Sequence, residues 1–425
     1  MIDGVTPGTS HLTIVTPVGP EAVRYHHPDA VAAPTPGTGP VRMTDGDESP
    51  QLTLDQPTTA PAPRSRAFRL GNRPPLTGIR ALALATVLIY HSNFKTLPGT
   101  WVALQIFFVL SGFLITAMLA SEGKRNGRIS LSGFYARRGV RLVPPLLLVI
   151  ALLAIYASIV HVADAAHRVW GDSLAALFYF ADYRQAFGHA PFFGYLAQTW
   201  SLSVEEQFYI LWSLLMVVAV VTKRHKLAYA FAIIGLVAST VDRTWIVLHA
   251  HPFTPGTFLR TYYAFDPRAD ALFFGCLLGL LAADGWLLQW ARWAKATITI
   301  LAAAATLFLC WILQYTHLFD RDVVLWWIPA TTVASGILIV YFVVCPDSLG
   351  SKFAGLGVLV FIGDLSYTVY LLHFPVYLAT MPSMLHWSFW PAQALRLSII
   401  FGIATLSWFL MEKPLMRWRA RSAAR

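Results

Sequence analysis

Residues 101–120 read Trp101-Val-Ala-Leu-Gln105-Ile-Phe-Phe-Val-Leu110-Ser-Gly-Phe-Leu-Ile115-Thr-Ala-Met-Leu-Ala120, twenty consecutive residues without a charge. At ~1.5 Å of rise per residue, a helix of that length crosses the ~30 Å hydrocarbon core of a bilayer. The same pattern recurs on either side. Ten spans are predicted, over 77–95, 101–120, 142–162, 200–221, 227–249, 270–286, 295–315, 323–344, 358–380 and 393–411. Of the 425 residues, 56% are apolar or aromatic and 13% are charged, about half the charged share of a soluble protein. That composition excludes an ordinary cytosolic enzyme and a wholly disordered chain. The fold class is an all-α polytopic membrane protein of about ten transmembrane helices with a disordered N-terminal tail. An apolar patch at 173–181 is too short to cross and reads as a re-entrant or interfacial segment. Pro144 and Pro145 fall at the start of the third span, where missing backbone donors cost least. Ser111 and Gly112, small residues inside the quoted run, predict a close helix approach.

The first 75 residues differ from the rest. They hold 13 of the 26 prolines, with much Thr, Gly and Ala, and no long apolar run. Such a segment buries too little surface to offset its ordering entropy and is expected to be disordered. It lacks the apolar core of a secretory signal, so the first span is expected to act as the insertion signal. The formal net charge is +10. When alternate loops are assigned to opposite faces, one face holds 21 Lys and Arg, including the tail from Lys413 to Arg425, and the other about eight. That excess predicts a plasma-membrane protein with both termini cytoplasmic. The same bias explains the basic charge without nucleic acid as a partner. Cys276, Cys310 and Cys345 stand singly in apolar stretches and suggest neither metal nor disulfide.

Five polar constellations interrupt the apolar background. Arg80 lies near the cytoplasmic end of the first span and His91 eleven residues further on, about 16 Å along a helix. A histidine at that depth either serves a polar interior as a general base or sits at the far interface. Phe134-Tyr-Ala-Arg137-Arg138-Gly-Val-Arg141 precedes the third span. Three guanidiniums in five residues either grip a phosphate-rich ligand or anchor the chain to anionic lipid heads. Gln198-Thr-Trp-Ser201-Leu-Ser203-Val-Glu205-Glu206-Gln207-Phe-Tyr209 enters the fourth span. Its Ser and Glu residues read as helix capping, or as a buried carboxylate that orients a base or an acceptor hydroxyl. Arg268 and Asp270 open the sixth span; two residues apart, they share no helix face, and each is expected to pair elsewhere. Tyr367, Tyr370 and His373, in the ninth span, either line a cavity or make interhelical packing contacts. There is no Walker loop, no His-Glu-x-x-His, no Gly-x-Ser-x-Gly and no Cys-x-x-Cys.

Six stretches occur in a telling order: Arg80-x10-His91, Phe107-Phe-Val-Leu-Ser-Gly-Phe113, Phe134-Tyr-x-Arg-Arg-x-x-Arg141, Trp200-Ser-Leu-Ser-Val-Glu-Glu-Gln-Phe-Tyr209, Arg268-x-Asp270-Ala-Leu and Ser366-Tyr-x-x-Tyr-Leu-x-His-x-Pro375. Together with Glu412-Lys-Pro414, over residues 76 to about 417, they resemble the acyltransferase 3 family of integral-membrane O-acyltransferases. The resemblance implies a transmembrane acyltransferase domain over 76–417, between the cytoplasmic tail 1–75 and a basic C-terminal tail 418–425. It implies transfer of an acyl group, commonly acetyl from acetyl-CoA, to a hydroxyl of a glycan, glycolipid or secreted small molecule. It also implies His91 as catalytic base, Arg80 as its paired arginine, Arg137, Arg138 and Arg141 at the acyl donor, and a role for Glu205. Ser201, Gln207, Arg268, Asp270, Tyr367 and His373 complete the candidate set as substrate-binding residues. Two departures stand out. The family's Gly-Val-Asp-like lead into the Phe-Phe run is here Val102-Ala-Leu-Gln105-Ile, without the carboxylate, and a family proline is Ser213. Some relatives append an extracytoplasmic hydrolase-like domain; with 14 residues after Met411, none is expected here.

The expected reaction has neutral His91 take a proton from the acceptor hydroxyl as it attacks the thioester. Arg80, Tyr367 or a backbone N–H are candidates to stabilise the oxyanion. Direct transfer and an acyl-histidine intermediate both fit, and no metal is needed. Anionic headgroups of the membrane lipids are further partners. The alternative from another class is a proton-coupled transporter or flippase of a polar or glycan substrate. A third is a scaffold acting through its tail.

Overall fold

The computed structural model describes residues 73–93, 96–160, 165–188, 194–380 and 387–424. The expected disorder of the tail 1–75 lies, apart from its last three residues, outside the described residues. Among them there is no strand. The helices are α1 (Pro74–Ser92), α2 (Val102–Asn126), α3 (Leu131–Val160), α4 (Ala165–Leu177), α5 (Ala181–Phe187), α6 (Trp200–Val221), α7 (His225–His249), α8 (Pro255–Tyr263), α9 (Phe265–Arg268), α10 (Asp270–Ala283), α11 (Trp286–Tyr315), α12 (Ile328–Val344), α13 (Leu349–Ala354), α14 (Gly357–Ala379), α15 (Phe389–Ser407) and α16 (Lys413–Ala424). Single π-helical turns, Val323–Trp327 and Trp408–Glu412, lead into α12 and follow α15.

Each of the ten predicted spans corresponds to a helix. Eight helices among the described residues are long and apolar enough to cross a membrane. The chain is a multi-pass membrane protein. The other two predicted spans are α1, with 19 residues, and α10, with 14. Helix α10 is shorter than its predicted range because Asp284 ends it and Gly285 follows at φ +83°. At about 21 Å it is too short to span alone. It lies instead at the centre of the bundle, where a Cβ on Gly112 of α2 would meet Leu272 O at 2.0 Å and one on Gly275 would meet Val109 O at 2.1 Å. The two backbones touch because neither glycine has a side chain. Helix α1 approaches α14 in the same way, with Gly363 against Thr77 O.

Three expectations are corrected. The third helix does not begin at 142, just ahead of Pro144. Helix α3 starts at Leu131 and carries Arg137, Arg138, Arg141 and both prolines inside it. With 30 residues it runs about 45 Å, longer than the hydrocarbon core. The basic stretch continues the helix because its apolar partners Phe134 and Tyr135 pack into the bundle. The patch 173–181 is not one segment: it ends α4, turns at Tyr179 (φ +54°) and opens α5. Neither Ser201 nor Ser203 caps α6. The helix is entered through a 3-10 turn, Ala197–Thr199, with no side-chain cap. Ser203 Oγ instead accepts from the Ala181 N–H at 3.1 Å.

Candidate active site

A cavity of about 310 Å³ opens among α1, α2, α3, α6 and α14. One wall is a single face of α2, whose Leu104, Phe107, Phe108, Ser111, Leu114 and Ile115 repeat at helical spacing. The opposite wall is polar. It includes Arg80 of α1, Arg137, Arg138 and Arg141 of α3, Ser201, Glu205, Glu206 and Tyr209 of α6, and Tyr367 and Tyr370 of α14.

The charged groups divide into satisfied and unsatisfied ones. Arg138 is ion-paired with Glu206, and its guanidinium lies 3.6 Å from the centre of the Tyr209 ring. Glu205 Oε1 accepts from Ser111 Oγ at 2.7 Å. Arg137 is half exposed and stands 3.6 Å from Glu122. Arg80 and Arg141 make neither a hydrogen bond nor an ion pair among the described residues, although both line the cavity. They lie within electrostatic reach of each other and of Asp364, and Arg80 also of Glu205. Glu412 is turned inward by the π turn at Trp408–Glu412. It is buried and accepts from Thr368 at 2.8 Å and Ser407 at 2.9 Å. Two guanidiniums that share a cavity, with carboxylates nearby but none hydrogen-bonded to them, keep N–H donors that an anionic ligand can use.

His91 stands at the other end of the same helix face. Helix α1 is unbroken between Arg80 and His91, so eleven residues, about three turns, separate them. The imidazole Nδ1 is 2.9 Å from Val87 O. A carbonyl only accepts, so the proton sits on Nδ1 and Nε2 keeps its lone pair, the tautomer a general base requires. The His91 ring meets Tyr90, Phe374 and His373 at centroid distances of 5.2, 5.3 and 4.9 Å. Tyr377 donates to Leu88 O at 3.3 Å and ties α14 to α1 beside it.

His91 is not among the residues that line the cavity. The contacts from one to the other run through Tyr370, which lines the cavity, and His373, whose ring lies 5.2 Å from Tyr370 and 4.9 Å from His91. Arg80 sits three turns from His91, and Tyr367 donates its hydroxyl to Leu142 O at 2.9 Å. Both belong to the cavity end.

The remaining candidates fall outside the cavity lining. Gln207 Nε2 donates to Asp182 Oδ1 at 2.9 Å and to Tyr179 O at 2.8 Å, which pins α5 on α6. Burial pushes the Asp182 carboxyl up to about 6, against hydrogen bonds from the Tyr183 N–H and Gln207. Asp270 pairs with Arg243 of α7 at 2.7 Å in the protein interior. Arg268, also fully buried, lies 5.0 Å from the Tyr262 ring centre and 5.6 Å from that of Phe108. With the Gln105 amide oxygen turned toward it, Arg268 donates to that oxygen at 2.8 and 2.9 Å. The residue at the missing-carboxylate position is thus a neutral acceptor for a buried guanidinium. Sequence reasoning missed Ser111, which read as a packing residue, and Glu206 and Tyr209, whose only signal was proximity to Glu205. No cluster of three His, Cys, Asp or Glu residues among the described ones could hold a metal.

Residues 75–412 match the acyltransferase domain family. The chain belongs to that family. The peptidoglycan O-acetyltransferase OatA of Listeria monocytogenes is 31% identical over 354 residues, 81% of this chain and 56% of the relative. The O-acetyltransferase OatA of Staphylococcus aureus is 29% identical over 316 residues, 71% of this chain and 50% of the relative. The chain thus spans about half the length of these curated relatives. No solved structure matches it. The acyltransferase domain extends from the start of α1 to Glu412, so it takes in the cavity, both histidines and the second π turn, and it leaves out α16.

Proposed function

We propose that the protein is a membrane O-acyltransferase that moves an acyl group, acetyl by default, from a cytoplasmic acyl-CoA to a hydroxyl of a cell-envelope glycan. The names of its relatives support acetyl and a glycan acceptor. One observation carries the reading: a cavity with two unpaired guanidiniums, Arg80 and Arg141, lies three turns along one helix from a histidine held in the base tautomer. Arg80 and Arg141 would neutralise donor phosphates, and the apolar face of α2 would take the arm of the donor. The charge bias of the loops supports a donor entering from the cytoplasmic side, with both termini on that side.

In the direct reaction, the acceptor O–H gives its proton to His91 Nε2 as its oxygen bonds to the thioester carbonyl carbon. The tetrahedral adduct then collapses, the C–S bond breaks, and the thiolate leaves with the proton returned by His91. The products are an ester and the free thiol. An acyl-histidine would split this into two steps through the same nitrogen. The test is transfer of labelled acetyl from acetyl-CoA by membranes that contain wild type or His91→Ala, offered a cell-envelope extract. Label in an extractable ester from wild type and not from the variant supports the reading. Equal transfer by both removes His91 from the reaction, and no binding of acetyl-CoA to the purified protein overturns the donor.

A further inference from the structure

Helix α4 closes through two backbone bonds, from the Tyr179 N–H to Ala176 O at 3.4 Å and from the Phe180 N–H to Ala175 O at 3.0 Å, with Tyr179 left-handed at φ +54°. That closure usually places glycine at the left-handed position, because a Cβ there crowds the backbone. A tyrosine is held in it instead. Gln207 of α6 donates to Tyr179 O at 2.8 Å and to Asp182 Oδ1 at 2.9 Å, and Ser203 Oγ accepts from the Ala181 N–H at 3.1 Å. These bonds fix the turn on α6. The turn also sorts three consecutive aromatic residues: Phe178 and Phe180 are exposed, and of the three only Tyr179 lines the cavity.

Tyr179 lies within electrostatic reach of Glu206 and Arg138, and its hydroxyl makes no hydrogen bond among the described residues. Closure of the helix does not call for that hydroxyl, since glycine closes it without steric cost, and packing does not, since phenylalanine fills the same space. A phenol delivered to a cavity wall from a backbone position that disfavours it marks a ligand contact. The surrounding charge defines the ligand group. Arg138 and Glu206 are paired with each other, so this stretch of wall is neutral, whereas the unpaired guanidiniums are those of Arg80 and Arg141. We infer that Tyr179 is a binding residue for the acyl donor, whose uncharged arm hydrogen-bonds through an amide group to the phenol while its phosphates engage Arg80 and Arg141. The inference rests on the acyl-CoA reading and assigns the middle of the donor to a residue outside the charged cluster.

The test measures ligand binding by calorimetry to the full-length protein in lipid nanodiscs, as wild type, Tyr179→Phe and Tyr179→Gly. Tyr179→Phe keeps the ring and the backbone geometry and removes the hydroxyl. It is expected to raise the Kd for acetyl-CoA about two- to tenfold, the scale of one neutral hydrogen bond, with the melting temperature of the ligand-free protein unchanged. The Kd for adenosine 3′,5′-bisphosphate, which carries phosphates and no arm, should stay as in wild type. Tyr179→Gly should weaken acetyl-CoA at least as much and yet melt no lower than wild type, because glycine takes the left-handed turn freely. Wild-type affinity of Tyr179→Phe for acetyl-CoA overturns the inference and leaves the acyl-CoA reading standing. Equal weakening of both ligands also overturns it, since the hydroxyl then serves the phosphates. So does a fall in melting temperature of Tyr179→Phe that tracks its lost affinity, which makes the hydroxyl a structural part. A wild type that does not bind acetyl-CoA overturns the donor reading itself, and the inference with it.

Discussion

The side chains at the cavity separate by whether they are already satisfied. Arg138 and Arg141 are three residues apart on α3, yet Arg138 is spent on Glu206 and Tyr209 while Arg141 faces the cavity without a partner. Their variants should therefore fail differently. Arg141→Gln is expected to raise the KM for acetyl-CoA by about 10- to 100-fold, the scale of a lost hydrogen bond to a charged group, with little change in melting temperature. Arg138→Gln is expected to lower the melting temperature, and adding Glu206→Gln should restore part of it. His91→Ala should lower kcat about 10²- to 10⁴-fold at nearly constant donor KM, read from initial rates of thiol release. The sequence made Arg80, His91 and the arginine cluster legible through spacing and a shared order of motifs. It could not say which arginine was occupied, because the partners, Glu206 and Tyr209, lie on another helix. Gln207 misled for the converse reason: inside a polar motif it looked like substrate chemistry, and its amide in fact holds α5 in place.

At the level of elements, the length of apolar stretches located a helix for every predicted span, and boundaries went astray where a helix outlasts its apolar stretch or stops short of it. Helix α3 begins 11 residues before its predicted range, since a helix that leaves the hydrocarbon keeps its hydrogen bonds in water. Helix α10 was legible as apolar, but its 14 residues are stabilised by α2 and not by lipid. Gly275→Val should drive α2 and α10 apart and cut the yield of folded protein, measured by fluorescence-detected size exclusion. Asp270→Asn should cost about 3–5 kcal/mol, because it strips the counter-ion from Arg243 in a fully buried pair. Helix α5 carries a pH-dependent element. Asp182 titrates near 6 in the folded protein and near 4 when unfolded, so between these values the folded state holds the extra proton. Stability is expected to fall as pH rises through that window. Asp182→Asn should melt higher than wild type at pH 7 and lose that advantage at pH 4.

On the scale of the whole molecule, the family match and the cavity both lie within residues 75–412. Removal of residues 1–72 is therefore expected to leave acetyl transfer within about twofold of the full chain, and abolition of transfer would instead assign the tail an essential part. Helix α1 has a consequence of its own. Because Arg80 and His91 ride on one uninterrupted rod, the interval between anion site and base is a fixed gauge that cannot stretch to suit its cargo. A donor must reach from one mark to the other. Acetyl phosphate, whose charge sits directly beside its carbonyl, is too short to engage both, and it should prove inert however much is supplied.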